Sequence, residues 1–414
     1  MTDWIARHPD LVAAVIKIVV VLFVLLTGVA YAVWFERKLI AHIQSRWGPH
    51  RVGPHGLLQP LADGLKLFFK EAVIPANVTS RFIYVLAPFL ALSLALLAIA
   101  VIPFGPGEFE LLGTRTGLSI ADINIGLLFI LAVTSLGVYA IALAGWSSNS
   151  KYPLLGALRS SAQMVSYELA LTFSVIGVLL LAGTLSLREI VTAQQGDWWG
   201  LVPRWFIFPQ FVAFICFFIS GVAETNRLPF DLPEAETELV AGFHTEYSSM
   251  KFAMFFMAEY AHIFTTSLLA AILFLGGWLS PFPENSLAEY LPAVLAAALG
   301  VVLLFDVFRL PRPLHRWLVA VIGLALLGAS LLLTQPTLLK LAQGPFWLLA
   351  KAALFVFVFV WTRGTLPRFR YNQLMAFGWK FLVPLAVLNI VVTSFVVAGG
   401  VRHIITAVSA WGGG

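Results

Sequence analysis

The sequence predicts an all-α polytopic membrane protein with about ten transmembrane helices and one amphipathic helix at the interface. Three observations predict it. Of the 414 residues, 60% are hydrophobic and 11% charged, against about 25% charged in a soluble domain. Apolar runs recur at lengths that cross a hydrocarbon core of about 30 Å at about 1.5 Å per residue. The basic residues collect in alternate loops, as retention of Lys and Arg on the cytoplasmic side produces.

Uninterrupted apolar runs occupy about 82–104, 123–145, 205–223 and 381–399. Four more carry a single charge: about 11–35 with Lys17, 162–187 with Glu168, 252–275 with Glu259, and 346–362 with Lys351. Two weaker candidates, about 290–305 and 317–333, lie at the short end for a span. The loops 36–81, 144–161, 224–251, 306–316 and 363–380 hold 18 of the 26 Lys and Arg, and all fall on one side if the amino terminus is outside. Removing one weak candidate alone would put the basic loop 363–380 outside, so the two stand or fall together. The first run is too long and wrongly flanked for a cleavable signal peptide.

Cys216 is the single cysteine, which excludes disulfides, cysteine-ligated iron–sulfur clusters and Cys-rich zinc sites within the chain. The net charge of +5 is the same loop bias and fits lipid headgroups better than nucleic acid. There is no P-loop, no G-x-G-x-x-G and no paired intramembrane histidine for a haem, so no cofactor is expected on this chain.

Polar chemistry concentrates in four places. Glu36, Arg37 and Lys38 end the first run. Charges there ordinarily anchor topology, but a carboxylate adds little to positive-inside retention, and Glu36 is the one that fits a buried polar site. The segment 56–69 then places Gln59, Asp63 and Lys66 on one helical face, with Lys70 one turn on and leucines and phenylalanines opposite. Fourteen residues are too few to cross, so this helix lies at the interface. It is either a surface anchor or the polar rim of an entrance.

Glu168 and Glu259 each sit about two turns inside an apolar run, where ionisable groups are costly and mark function. Each is either hydrogen-bonded between packed helices or a proton carrier. His262, one turn beyond Glu259, leaves the same two readings. The densest acidic segment, AETNRLPFDLPEAETELVAGFHTEYSSM (223–250), sets five Glu and one Asp between two apolar runs. Glu234 and Glu238 share a helical face while Glu236 points elsewhere, and like charges so close raise one another's pKa. Arg227 and His244 are the local counter-groups. His244 with Glu246 is a weak metal site without a second histidine, so no metal is expected.

Four segments carry a resemblance: 36–71, 144–168, 223–261 and 365–385. In that order they resemble the H-subunit family of bacterial respiratory complex I (NADH:quinone oxidoreductase), counterpart of mitochondrial NADH dehydrogenase subunit 1. The resemblance implies a non-redox subunit of a bacterial inner-membrane translocase. It would form the channel through which quinone enters and the chamber wall, and would couple quinone reduction to proton pumping. Its partners would be the hydrophilic-arm subunits, which carry flavin and iron–sulfur clusters, and the proton-pumping membrane subunits. Carried across, Glu36, Arg37, Arg46, Asp63, Lys66, Arg227 and Phe230 would bind or line the path of quinone. Asp231, Glu234, Glu236 and Glu238 would act in the loop beside the chamber, and Glu168, Glu224 and Glu259 would begin a proton path.

One departure from the family is expected. Members continue almost directly from the end of span six to the next span, whereas here Gly277 to Gly344 brackets about 65 residues. The division is therefore 1–276, an inserted helical hairpin at 277–344 turning on the cytoplasmic side at 306–316, and 345–414. Rival readings are the membrane subunit of an energy-converting hydrogenase and a proton-coupled secondary transporter. No internal inverted repeat supports the latter.

Overall fold

The computed structural model describes residues 9–106, 108–111, 114–198, 202–231, 239–282, 289–310 and 313–411. Helices dominate: α1 (Pro9–Ile43), α2 (Gln59–Phe69), α3 (Arg81–Ile99), α4 (Gly126–Ser147), α5 (Lys151–Ala182), the short α6 (Leu187–Thr192) and α7 (Phe211–Glu224). They continue with α8 (Ser249–Phe274), α9 (Leu291–Asp306), α10 (Pro313–Leu332), α11 (Pro336–Thr365), α12 (Tyr371–Phe377) and α13 (Val383–Trp411). A π-helical turn, Gly378–Leu382, joins α12 to α13 into one span. Two small antiparallel strand pairs, β1 (Glu108–Leu111) with β2 (Thr114–Gly117) and β3 (Asp197–Trp198) with β4 (Val202–Pro203), and 3-10 turns at Pro54–Gly56, Gly242–His244 and Val307–Arg309 complete the described elements.

Among the described residues nine helices are long and apolar enough to cross a membrane. The fifth expected span is the exception. It is helical only from Phe211, over 14 residues, or about 21 Å at 1.5 Å per residue, short of the hydrocarbon core. From Thr225 to Asp231 the chain leaves the helix, with every residue but the half-buried Leu228 buried. Non-helical chain at such depth is tolerated only where protein surrounds it. α5 departs in the other direction. Its helix begins at Lys151, well before the apolar run, and ends where Gly183 adopts the left-handed conformation (φ 71°) that glycine closes helices with. Glu168 therefore lies near the middle of α5 rather than two turns inside.

α8 is the central helix, with apolar residues from Leu268 to Phe274 all buried. α1, α3, α5, α7, α11 and α13 surround it and one another in a single core cluster. Polar pairs fasten this bundle. Gln210 at the start of α7 donates to Thr393 Oγ1 (2.8 Å) and accepts from Asn389 Nδ2 (2.7 Å), tying α7 to α13. Lys17, the charge inside the first span, donates to Thr116 Oγ1 (2.7 Å) and Ser119 O (2.9 Å) beside the β1–β2 strand pair.

α9 and α10 pack chiefly on each other. A methyl added at Gly300 would stand 2.9 Å from Gly323 O, so the two backbones touch at a glycine pair, the small-residue crossing that membrane helices use. Phe305, Phe308 and Trp317 near their shared turn are broadly exposed. The turn is clasped to the segment before α2 by His55 Nε2 and Asp306 Oδ2 at 2.7 Å.

Candidate functional site: a buried ion network at the end of the short helix

The site begins where α7 stops. Thr225 turns its hydroxyl back onto Gly221 O and Val222 O (3.1 Å each), and Asn226 takes a positive φ of 52°, which asparagine tolerates better than most residues. Gln163 of α5 organises the turn that follows. Its side-chain amide donates to Ala223 O and Phe230 O (2.8 Å each) and stands 3.3 Å from Asn226 Oδ1. Phe230 is held between Tyr167 and Phe369, stacked on the latter at 5.6 Å.

This turn delivers Arg227 into the bundle, only 6% exposed. Its Nη1 lies 3.2 Å from Glu36 Oε1 of α1, and its Nε lies 2.5 Å from Glu259 Oε1 of α8. Tyr260 donates its hydroxyl to Glu36 Oε2 (2.7 Å) and offers its ring face to the guanidinium at 4.4 Å. Arg363, near the end of α11, closes an ion pair on Glu36. Among the described residues two carboxylates thus meet two guanidinium groups, drawn from three spans and one loop. Such a set survives burial only because each charge is paired and hydrogen-bonded.

Asp231, buried at the end of the same turn, pairs with Arg368 (3.1 Å) in the segment after α11. A cavity of about 280 Å³ adjoins the network, lined by Glu224, Asn226, His244, Glu259, His262 and Arg363. Among the described residues His262 Nδ1 is buried without a hydrogen-bond partner. Glu168 accepts a hydrogen bond from Ser135 of α4.

The structure divides the residues singled out from sequence. Glu36, Glu224, Arg227, Glu259, Phe230 and Asp231 come together. Arg37, next to Glu36 in sequence, turns the other way and pairs with Asp63 of α2 at 2.7 Å, both partly exposed. Gln59 also donates to Asp63 (3.0 Å). Lys66 on α2 and Arg46 beyond α1 are exposed and stand apart from the network. Glu234, Glu236 and Glu238 lie outside the described residues.

Glu259 has a cation partner in Arg227. Arg227 pairs with Glu36 and Glu259, while the loop acids Glu234, Glu236 and Glu238, its other expected partners, lie outside the described residues. One expectation needs correction: His244 is no counter-charge. It sits edge-on to Phe243 and Phe252, and burial lowers its pKa from 6.5 to about 4, so its ring is neutral at physiological pH. Nearby Tyr247 is pushed up to about 12 by the same burial. Among the described residues no cluster of His, Cys, Asp and Glu could hold a metal ion.

Sequence reasoning passed over Gln163, Tyr260, Arg363 and Arg368. The two arginines were counted only as topological charges. The signal that could have found them was the excess of buried carboxylates over the single Arg227, which demanded further cations.

A bundle of long apolar helices with one shortened span and a buried Arg–Glu network at its tip defines a polytopic membrane protein. The family model for NADH dehydrogenase matches residues 16–394. The chain is 52% identical over 387 residues to NADH-quinone oxidoreductase H subunit 1 of Solibacter usitatus, covering 93% of this chain and 96% of that one. It is 52% identical over 400 residues to the H subunit 2 of Koribacter versatilis, covering 94% and 98%. The H subunit 2 of Geobacter metallireducens is 46% identical over 398 residues, covering 94% and 96%. The chain belongs to the H-subunit family of NADH-quinone oxidoreductases.

Proposed function

We propose that this chain forms the channel through which quinone enters, walls the quinone chamber, and couples quinone reduction to proton translocation. The observation that carries the reading is Arg227. The turn holding Phe230 and Asp231 also supplies the guanidinium that bridges Glu36 to Glu259, so a charge change at the turn acts on carboxylates inside the bundle.

Electrons reach quinone from a partner in the hydrophilic arm, where flavin and iron–sulfur clusters belong; this chain contributes the surrounding charges. Negative charge gained by quinone beside Phe230 and Asp231 draws Arg227 and Arg368 towards it and disfavours ionised acids nearby. A guanidinium displaced from Glu259 leaves that carboxylate to take up a proton, with Glu224 and Glu168 as the next acceptors. The alternative pairing of Arg227 is the two-state element that coupling requires. Arg37, Arg46, Asp63 and Lys66, at the exposed end of α1 and on α2, line the approach. Asp231, Glu234, Glu236 and Glu238 serve the chamber side of the loop.

In this reading the amino terminus faces outward from a bacterial inner membrane, and residues 277–344 are an added hairpin in lipid or against a neighbouring subunit. The test is Asp231→Asn in the assembled complex. Quinone reduction falls while NADH oxidation by an artificial acceptor at the flavin persists. Equal loss of both would indicate an assembly defect and remove the support for a chamber role.

A further inference from the structure

The Arg227 network occupies the amino-terminal half of α8 and the carboxyl end of α11. At the opposite end of both helices a second cavity, of about 340 Å³, opens between the Gln194–Trp205 region, the chain after α8 and the first turns of α11. Three tryptophans line it, Trp205, Trp278 and Trp347, together with Lys340, Gln343 and Glu289. Its wall is fixed. Buried Lys351 donates to Leu275 O (2.6 Å), Gly277 O (2.9 Å) and Leu279 O (2.6 Å) and sits 4.4 Å over the Trp205 ring. Gln343 donates to Glu289 O (3.3 Å), fastening the start of α9 to α11.

Part of this cavity's chemistry is unspent. Trp278 is 4% exposed, yet among the described residues its indole N–H has no hydrogen-bond partner. Neither the Lys340 ammonium nor the Glu289 carboxylate is in an ion pair among the described residues. A buried donor without an acceptor is costly, so the site favours an occupant with an acceptor oxygen. A free cation and a free anion on one rim favour an occupant carrying both signs. Tryptophans at the end of membrane-spanning helices stand at headgroup level, and their faces attract ammonium groups. A volume of this size holds one small group.

We propose that this cavity binds the headgroup of a zwitterionic aminophospholipid of the phosphatidylethanolamine class. The phosphate takes the Trp278 N–H and Lys340, and the ammonium takes Glu289 and the faces of Trp278 and Trp347. The site lies away from the quinone-side network and stands independently of the function proposed above.

The test uses the purified complex, stripped of lipid and titrated with phosphatidylethanolamine, phosphatidylglycerol or phosphatidylcholine. Bound lipid is counted by native mass spectrometry, and the difference between wild type and variant isolates this site. Wild type holds phosphatidylethanolamine about tenfold more tightly than phosphatidylglycerol, the scale of one charge-assisted contact. Glu289→Gln erases that preference, Lys340→Gln weakens both lipids, and Trp278→Phe weakens both to a smaller extent. Glu289 and Lys340 are exposed, so their variants keep the fold. Equal binding of all three lipids by wild type, or binding indifferent to both exposed substitutions, overturns the proposal. Glycerophosphoethanolamine binding as tightly as the lipid would overturn it in favour of a soluble ligand.

Discussion

The turn after α7 and the α9–α10 hairpin both interrupt a regular succession of spans, and they do so with opposite chemistry. The turn stops a helix early and fills the gap with charge, drawing Arg227, Glu36, Glu259, Tyr260 and Arg363 into one buried set. The hairpin consists of two helices with no charge between Tyr290 and Phe305 or between Trp317 and Leu333 and closes them on a glycine contact. Where the chain pairs charges inside the bundle, removing one partner leaves another stranded; where it packs apolar helices at the edge, a change stays local. Coupling needs the first kind of region, and the second is suited to lipid.

The largest effect that separates the two is expected from Arg227→Met. It leaves Glu259 without its guanidinium and Glu36 with Arg363 alone, and breaking a buried pair from one side costs about 3–5 kcal/mol. The yield of assembled complex, measured in mild detergent, should fall steeply. Undiminished assembly would mean that the network is not holding these spans together. Asp231→Asn comes next. It weakens one partly buried pair with Arg368, and quinone reduction should drop by about tenfold, one lost charge-assisted contact, with the artificial-acceptor rate kept.

These residues also mark how far the sequence could be read. Hydropathy and basic-loop parity located ten apolar segments, and each reappears as a helix, because burial in lipid is written as composition along the chain. Lengths were less legible. The apolar run at 205–223 did not reveal that Trp205 to Gln210 forms a turn, and the polar residues from Lys151 onward did not look like part of a span. Glu36 was legible as a carboxylate out of place, but its partners were not, since Arg227, Tyr260 and Arg363 are brought to it by tertiary packing across most of the chain. Arg37 illustrates the same limit: it adjoins Glu36 in sequence, and helix geometry sends the two side chains to different faces and different partners.

A smaller effect is expected from His244. Its folded pKa of about 4 lies below the unfolded value of about 6.5. The unfolded chain therefore binds more protons between these values, and His244 makes stability fall as pH drops from about 6.5 to about 4. His244→Gln should flatten that part of a thermal-stability profile. An unchanged acid slope would show that the ring is not buried as described. The smallest effect belongs to Gly300→Leu, which must push α9 away from Gly323. Crosslinking between the two helices should weaken while quinone reduction stays within about twofold, a change below about 0.5 kcal/mol in barrier.

The central claim, that coupling runs through the Arg227 network and not through the hairpin, is tested most directly by protons translocated per quinone reduced. The measurement compares reconstituted complexes carrying Glu259→Gln with complexes in which the hairpin is deleted by joining the chain near Gly277 and Gly344. Glu259→Gln should lower the ratio while electron transfer continues, and the hairpin deletion should leave it at the wild-type value even if less complex assembles. A wild-type ratio in Glu259→Gln together with a lowered ratio in the hairpin deletion would contradict the account.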